Sequence, residues 1–90
     1  ISGVVILPFE KYNLNRILKK GTNGEDVKQL QKELKARGYN IGKSGIDGKF
    51  GNNTFKATKN LQKDTGLKLV DGEVGKDTSH KSLAWKYKNE

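Results

Sequence analysis

The sequence contains no cysteine and no methionine, and only one proline, one tryptophan and one histidine among its 90 residues. Without cysteine, neither a disulfide framework nor a thiolate metal site can stabilise the fold, so packing of a few short elements must supply the core. The apolar run Val4–Leu7 is too short to span a bilayer or to form a signal-peptide core. Ninety residues make one domain at most, and the start at Ile1 predicts a segment of a longer protein.

Acidic residues are few relative to basic ones: ten Asp and Glu stand against eighteen Lys and Arg, for a net charge of +8. This balance favours polyanionic partners such as nucleic acid, anionic membranes or anionic wall polymers, although solvated surface lysine explains it equally well. Arg16 and Arg37 are the only arginines. Because arginine supplies the bidentate contacts of sequence-specific readers, and because the lysines are dispersed, the composition argues against nucleic-acid recognition.

Hydrophobic periodicity predicts two longer helices and a shorter third one. In residues 25–37 apolar side chains recur at helical spacing with Gln31 on the same face, and Gly38 follows as a left-handed stop. The second helix is predicted over residues 52–65. The third runs over about 76–83, with an extension to residue 87 left open.

An eight-residue motif occurs twice, twenty-four residues apart, at Asp47–Thr54 and Asp71–Thr78. Both copies share the aspartate, two glycines, the threonine and an apolar fourth residue. Asp-Gly makes a tight turn, the apolar residue enters the core, and the second glycine lets the backbone bend into a helix start. Two helices are therefore predicted to begin at equivalent turns, here called the first turn and the second turn.

Candidate catalytic and metal-binding residues are isolated. His80 has no cysteine or second histidine with which to bind zinc, and no nucleophile motif surrounds it. Asp47 and Asp71 occupy matching turn positions, and a chain of this size cannot build the cleft that a glycosidase needs between its carboxylates. The residues before each turn lack the alternating acidic pattern of calcium loops. We therefore expect no catalytic residue, metal or cofactor.

Taken in order, these motifs resemble the peptidoglycan-binding type 1 domain over about residues 17–83. The resemblance rests on the Gly-x-x-Gly-x-x-Val-x-x-Leu-Gln opening that ends at Gln31, the helix end at Gly38-Tyr39, and both Asp-Gly turns. It implies an all-α, compact three-helix bundle with a non-catalytic role, attached to a cell-wall amidase, muramidase, peptidase or phage endolysin. Asn52 and Lys76 stand where family members often have proline.

The predicted organisation follows from this resemblance. Residues 1–16 are an irregular or strand-like linker or the tail of a preceding, catalytic domain, residues 17–87 are the module, and residues 88–90 are a tail. The expected partner is peptidoglycan, with anionic wall polymers as a further one, and the expected location is extracellular, in the cell wall, or in a phage lysis system.

Peptidoglycan presents acetamido groups, hydroxyls and peptide carboxylates, so a binder needs amides, hydroxyls, an aromatic face and positive charge. We predict a shallow groove beside the first turn, with Asn52 and Asn53 as its strongest candidates and fold-forming roles as the alternative for the others. The predicted ligand-binding residues are Tyr39, Asp47, Asn52, Asn53, Thr54, Lys59 and Gln62.

Two other functions stay open on the sequence. One is a basic domain that binds nucleic acid or another protein. The other is a propeptide or positioning domain whose own affinity for the wall is low.

Overall fold

The computed structural model describes residues 12–88, which are mostly helical. Helix α1 spans Glu25–Ala36, helix α2 spans Asn52–Asp64, and α3 is a single π-helical turn at Thr78–Ser82. The first two agree with the hydrophobic periodicity. Gly38 and Gly66 follow them with φ of 91° and 79°, a conformation that favours glycine and ends a helix.

The third helix is shorter than predicted, and the described chain is not wholly α-helical. After Leu83 the backbone enters the left-handed region at Ala84, with φ of 57°, and the Trp85 N–H donates to the Ser79 carbonyl at 2.7 Å. This reversal directs the Trp85 side chain into the core. Lys86–Tyr87 then forms strand β2, so the proposed helical extension to residue 87 is wrong.

Strand β1, Asn13–Leu14, pairs with β2 in parallel and joins the two ends of the described chain. The Lys86 N–H donates to the Tyr12 carbonyl at 2.8 Å, and the Tyr12 and Trp85 rings lie 4.9 Å apart. Leu14 is fully buried and so belongs to the same core as the helices, and the domain boundary after residue 16 stays a prediction. The candidate strand Val4–Leu7 lies outside the described residues.

The segment between β1 and α1 pairs with both Asp-Gly turns. Leu18 and Val74 exchange two backbone hydrogen bonds of 3.0 and 2.8 Å. Further along, the Gly21 N–H donates to the Phe50 carbonyl, and the Phe50 N–H donates to the Thr22 carbonyl, each at 3.0 Å. The same segment therefore forms backbone hydrogen bonds with the apolar residue of each turn, Phe50 in the first and Val74 in the second.

A single core lies beneath these elements: α1, α2 and the N-terminal segment contribute apolar side chains to it, and Val74, Leu83 and Trp85 enter it from either side of α3. Tyr12, Tyr39, Phe55 and Tyr87 pack on its edge. Its buried apolar members are Leu14, Leu18, Val27, Leu30, Leu34, Ile41, Phe50, Ala57, Leu61, Val74, Leu83 and Trp85.

An ion pair ties the N-terminal segment to the start of α1. The Arg16 guanidinium donates to both carboxylate oxygens of Asp26, at 2.7 and 2.9 Å, and to the Asn23 carbonyl at 2.7 Å. These hydrogen bonds from Arg16 hold the pKa of the Asp26 carboxyl below its usual range. Since half of the arginine side chain is exposed, the pair orients the segment more than it stabilises the fold.

Replacement of Leu14 tests whether the N-terminal strand belongs to the module. Leu14→Ala should lower the free energy of unfolding by about 3 kcal/mol, because it leaves a cavity in the core. Ile17→Ala, at a side chain that is 48% exposed, should lower it by less than about 1 kcal/mol. Urea unfolding of both variants measures the difference, and equal stabilities would show that residues 12–16 are a linker.

Candidate functional site

A buried primary amide organises the first turn. The Gln31 side chain projects from α1 and is 1% exposed. Its Nε2 lies within hydrogen-bonding distance of Asp47 Oδ1 at 3.1 Å, the Lys49 carbonyl at 3.0 Å and Thr54 Oγ1 at 3.1 Å. Its Oε1 accepts the Gly48 N–H at 2.8 Å. One side chain therefore fixes the turn, the start of α2 and their position on α1.

Gln62 makes the same set of contacts in the second turn. Its Nε2 lies 3.1 Å from Asp71 Oδ1, 2.9 Å from the Glu73 carbonyl and 3.0 Å from Thr78 Oγ1. Its Oε1 accepts the Gly72 N–H at 2.9 Å. The two copies of the motif thus have matching internal hydrogen bonds, one held by α1 and the other by α2.

Each turn aspartate also closes its own loop. Asp47 Oδ1 accepts the Lys49 N–H at 2.9 Å, and Asp71 Oδ1 accepts the Glu73 N–H at 3.0 Å. The hydrogen bond from Lys49, followed by that from Gln31, lowers the pKa of Asp47. Gly48 and Gly72 have φ of 77° and 75°, which a side chain would strain. The aspartates act as turn formers, as their symmetric positions suggest.

A shallow groove of about 110 Å³, the first groove, lies beside the first turn. Its wall is the start of α2, where Asn52 and Asn53 are exposed, and Ile41 faces them from the preceding loop. Gly42 leaves room for Asn53, since a Cβ on that glycine would collide with the asparagine amide. No capping side chain occupies the α2 N-terminus, so backbone N–H groups face this end of the groove.

The structure brings four of the predicted site residues to the first groove and places three elsewhere. Asp47, Asn52, Asn53 and Thr54 line it. Among these, Thr54 is buried and bonded to Gln31, so it acts within the turn network.

The three remaining residues have contacts of their own. The Tyr39 hydroxyl donates to Asp64 Oδ2 at 2.6 Å, and this hydrogen bond raises the tyrosine pKa. Lys59 Nζ lies 5.4 Å from the centre of the Phe55 ring. Gln62 lies under the second turn, and no local pattern indicated this because its partners follow it by nine to sixteen residues.

A larger groove, which was not predicted from the sequence, lies beside the second turn. This second groove has a volume of about 480 Å³ and includes Gln62, Asp71, Glu73 and Thr78, at positions equivalent to those around the first turn. Ile17 and Leu69, which are 48% and 70% exposed, contribute apolar surface. The repeat itself was the available signal, because equivalent turns predict equivalent surfaces beside them.

Within residues 12–88 no cluster of three or more His, Cys, Asp or Glu side chains could hold a metal ion. His80 is exposed on α3. In the same part of the chain, none of the helices has the length and apolar character needed to cross a bilayer. The arrangement offers hydrogen-bonding and charged groups on two grooves rather than a reactive centre.

Comparison with known proteins gives a family match over residues 23–81, to the putative peptidoglycan binding domain. An N-acetylmuramoyl-L-alanine amidase of Bacillus licheniformis is 50% identical over 68 residues, and a spore cortex-lytic enzyme of Bacillus subtilis is 45% identical over 64 residues. These matches cover 76% and 71% of this chain but 18% and 20% of the relatives. The chain thus spans about a fifth of their length.

A solved structure, that of the SleB N-terminal domain, is also similar. It shares 42% sequence identity with this chain, with a TM-score of 0.67 over 73% of this chain and 86% of the other. At 42% identity, the two proteins are similar in amino-acid sequence as well as in backbone fold.

The amide networks can be tested with Gln31→Glu. The carboxylate keeps the shape but loses the donor and places negative charge beside Asp47, so the free energy of unfolding should fall by about 3 kcal/mol. Gln62→Glu should have the same effect beside Asp71. Gln29→Glu, on the more exposed side of α1, is the matched control and should change stability by less than about 0.5 kcal/mol. Urea unfolding at neutral pH measures all three, and a neutral Gln31→Glu would refute the role of the amide.

Proposed function

This chain belongs to the family of putative peptidoglycan binding domains, and we propose that it attaches a cell-wall hydrolase to its substrate. The observation that carries the proposal is the family match over residues 23–81, which contain both turns and nearly all of both grooves. The module itself is non-catalytic, and peptidoglycan is its ligand.

The identity of the attached enzyme is inferred from the relatives. Those with the matching segment include an amidase and a cortex-lytic enzyme, and the segment is a small part of each. A catalytic domain in the same polypeptide, upstream of this module, would explain why the matching segment makes up only about a fifth of each relative. We place the protein at the cell wall or outside the cell, with release from a phage lysis system as the less supported setting.

We propose that the first groove contacts the wall. Its exposed groups are the amides of Asn52 and Asn53 and the uncapped N–H groups of α2. Primary amides both donate and accept hydrogen bonds, as acetamido groups of N-acetyl sugars require, and helix N–H groups attract carboxylates. Among the residues predicted from sequence, Asp47 and Thr54 support this surface from within the turn.

We further propose that the two turns are copies of one unit within a compact three-helix bundle. The matching hydrogen bonds of Gln31 and Gln62 support this interpretation. The remaining predicted residues, Tyr39 and Lys59, do not line the first groove. They would contact a wall strand only if that strand extends beyond the groove.

Substitution of the two asparagines tests this site. Asn52→Ala with Asn53→Ala should weaken binding to purified peptidoglycan sacculi on the order of tenfold, because two hydrogen-bonding amides are lost. Asn60→Ala, on an exposed position of α2, should leave affinity within about twofold. Sedimentation with sacculi at moderate salt measures binding, and thermal melting shows whether the variants fold.

The outcomes separate the candidate functions. Wild-type binding by a folded double variant would show that the first groove is not the contact. If the wild-type chain shifts DNA in a gel but does not sediment with sacculi, the nucleic-acid function that the charge allows would replace this proposal.

Removal of anionic polymers from the wall tests the part played by the positive charge. Teichoic acids carry phosphates that attract lysines in a salt-dependent manner. We expect the chain to bind stripped walls more weakly than intact walls but still measurably, and added salt should reduce the difference. Complete loss on stripped walls would show that binding is electrostatic alone.

A further inference from the structure

The first and second grooves lie on the same internal frame but differ on the surface. In each, the frame consists of a buried glutamine, the turn aspartate and the threonine of the following helix. Residues that the frame does not use are free to change without loss of the fold. The chemistry of each groove is therefore set by the exposed positions of each copy.

The two positions after the second glycine are neutral in the first copy and charged in the second, and the charges that line the first groove are one aspartate, Asp47, and one lysine, Lys49. Asn52 corresponds to Lys76, and Asn53 corresponds to Asp77. Both members of each pair are exposed. The surface beside the first turn is suited to uncharged amides and hydroxyls, whereas the surface beside the second turn is suited to a charged ligand.

The second groove carries charges of both signs that have no ion-pair partner among residues 12–88. Lys68, Lys76, Lys81 and Asp77 are exposed and Glu73 is half-buried, and none of these five side chains forms an ion pair found in that part of the chain. Asp71 adds a third carboxylate, so three lysines face three acids. A simple polyanion would be repelled by half of these groups.

The groove also has apolar surface and no aromatic side chain. Ile17 lies on one side, where its Cγ1 would contact a Cβ on Gly75 at 3.7 Å, and Leu67 and Leu69 contribute from the loop after α2. Small aliphatic side chains such as alanine methyl groups suit this surface. The lining of neither groove includes an aromatic ring, so the apolar surface of the second groove is aliphatic alone.

We propose that the second groove binds the peptide part of peptidoglycan, a short zwitterionic peptide with free carboxylates and an ammonium group. The lysines contact the carboxylates, the acids contact the ammonium group, and Ile17 and Leu69 contact the alanine methyl groups. This inference rests on the proposed function and deepens it, because it assigns peptide recognition to the second groove and glycan recognition to the first.

The test is a titration of the isotope-labelled 90-residue chain, followed by amide chemical shifts. The probe is the synthetic tripeptide L-alanyl-γ-D-glutamyl-L-lysine, and chitotetraose serves as the glycan probe. The peptide should shift the amides of residues 67–81 saturably and leave residues 41–54 unchanged, and chitotetraose should do the reverse. Conversion of the peptide carboxylates to amides should weaken its binding on the order of tenfold.

A matched pair of triple variants separates specific contact from general attraction. Lys68→Gln with Lys76→Gln and Lys81→Gln should weaken peptide binding by about tenfold or more. The control carries Lys32→Gln, Lys35→Gln and Lys56→Gln, at exposed positions outside both grooves, and should lose less than about threefold. Leu69→Ser, at a side chain 70% exposed, tests the apolar contact without disturbing the core.

The results test peptide binding by the second groove and wall binding by the whole chain separately. Equal losses in the two triple variants, or peptide shifts confined to residues 41–54, would overturn the assignment to the second groove. If the chain sediments with sacculi but the peptide shifts none of residues 67–81, this inference fails and the proposed function stands. Failure to sediment with sacculi overturns the proposed function itself.

Discussion

The fold depends on two buried glutamine amides, each of which satisfies the polar groups inside one tight turn. Gln31 and Gln62 offer an acceptor and two donor hydrogens at one point, and both are 1% exposed. Each connects a turn aspartate, a turn N–H, a backbone carbonyl and a threonine hydroxyl. Because an unpaired buried polar group destabilises a fold, these networks specify the turns as well as stabilising them.

The N-terminal segment joins the two units into one domain. Leu18 pairs with Val74 of the second turn, and Gly21 and Thr22 pair with Phe50 of the first. The ring of Phe55 in turn packs against Gly72, which has no side chain to obstruct it. A chain of this size buries little surface in each element, so contacts between the copies supply much of its stability.

The shared frame of the two turns is compatible with the proposal that the two grooves bind different parts of peptidoglycan. The frame uses the aspartate, glycine and threonine of each copy, and the two residues directly before the threonine are exposed to solvent. At these two positions the first groove carries the neutral Asn52 and Asn53, whereas the second groove carries the charged Lys76 and Asp77. Peptidoglycan itself combines neutral sugars with charged peptides, and a duplicated unit with different surfaces matches that combination.

The sequence by itself determined α1 and α2, because periodicity is local, and its turn chemistry predicted the two equivalent turns. It also indicated Asn52 and Asn53 at an exposed helix start. Only the tertiary structure showed that Gln62 lies beneath the second turn, that Leu14 belongs to the core, and that Ile17 and Leu69 border a groove. The physical reason is that these environments are made by residues far apart along the chain, and no local pattern records which of them meet.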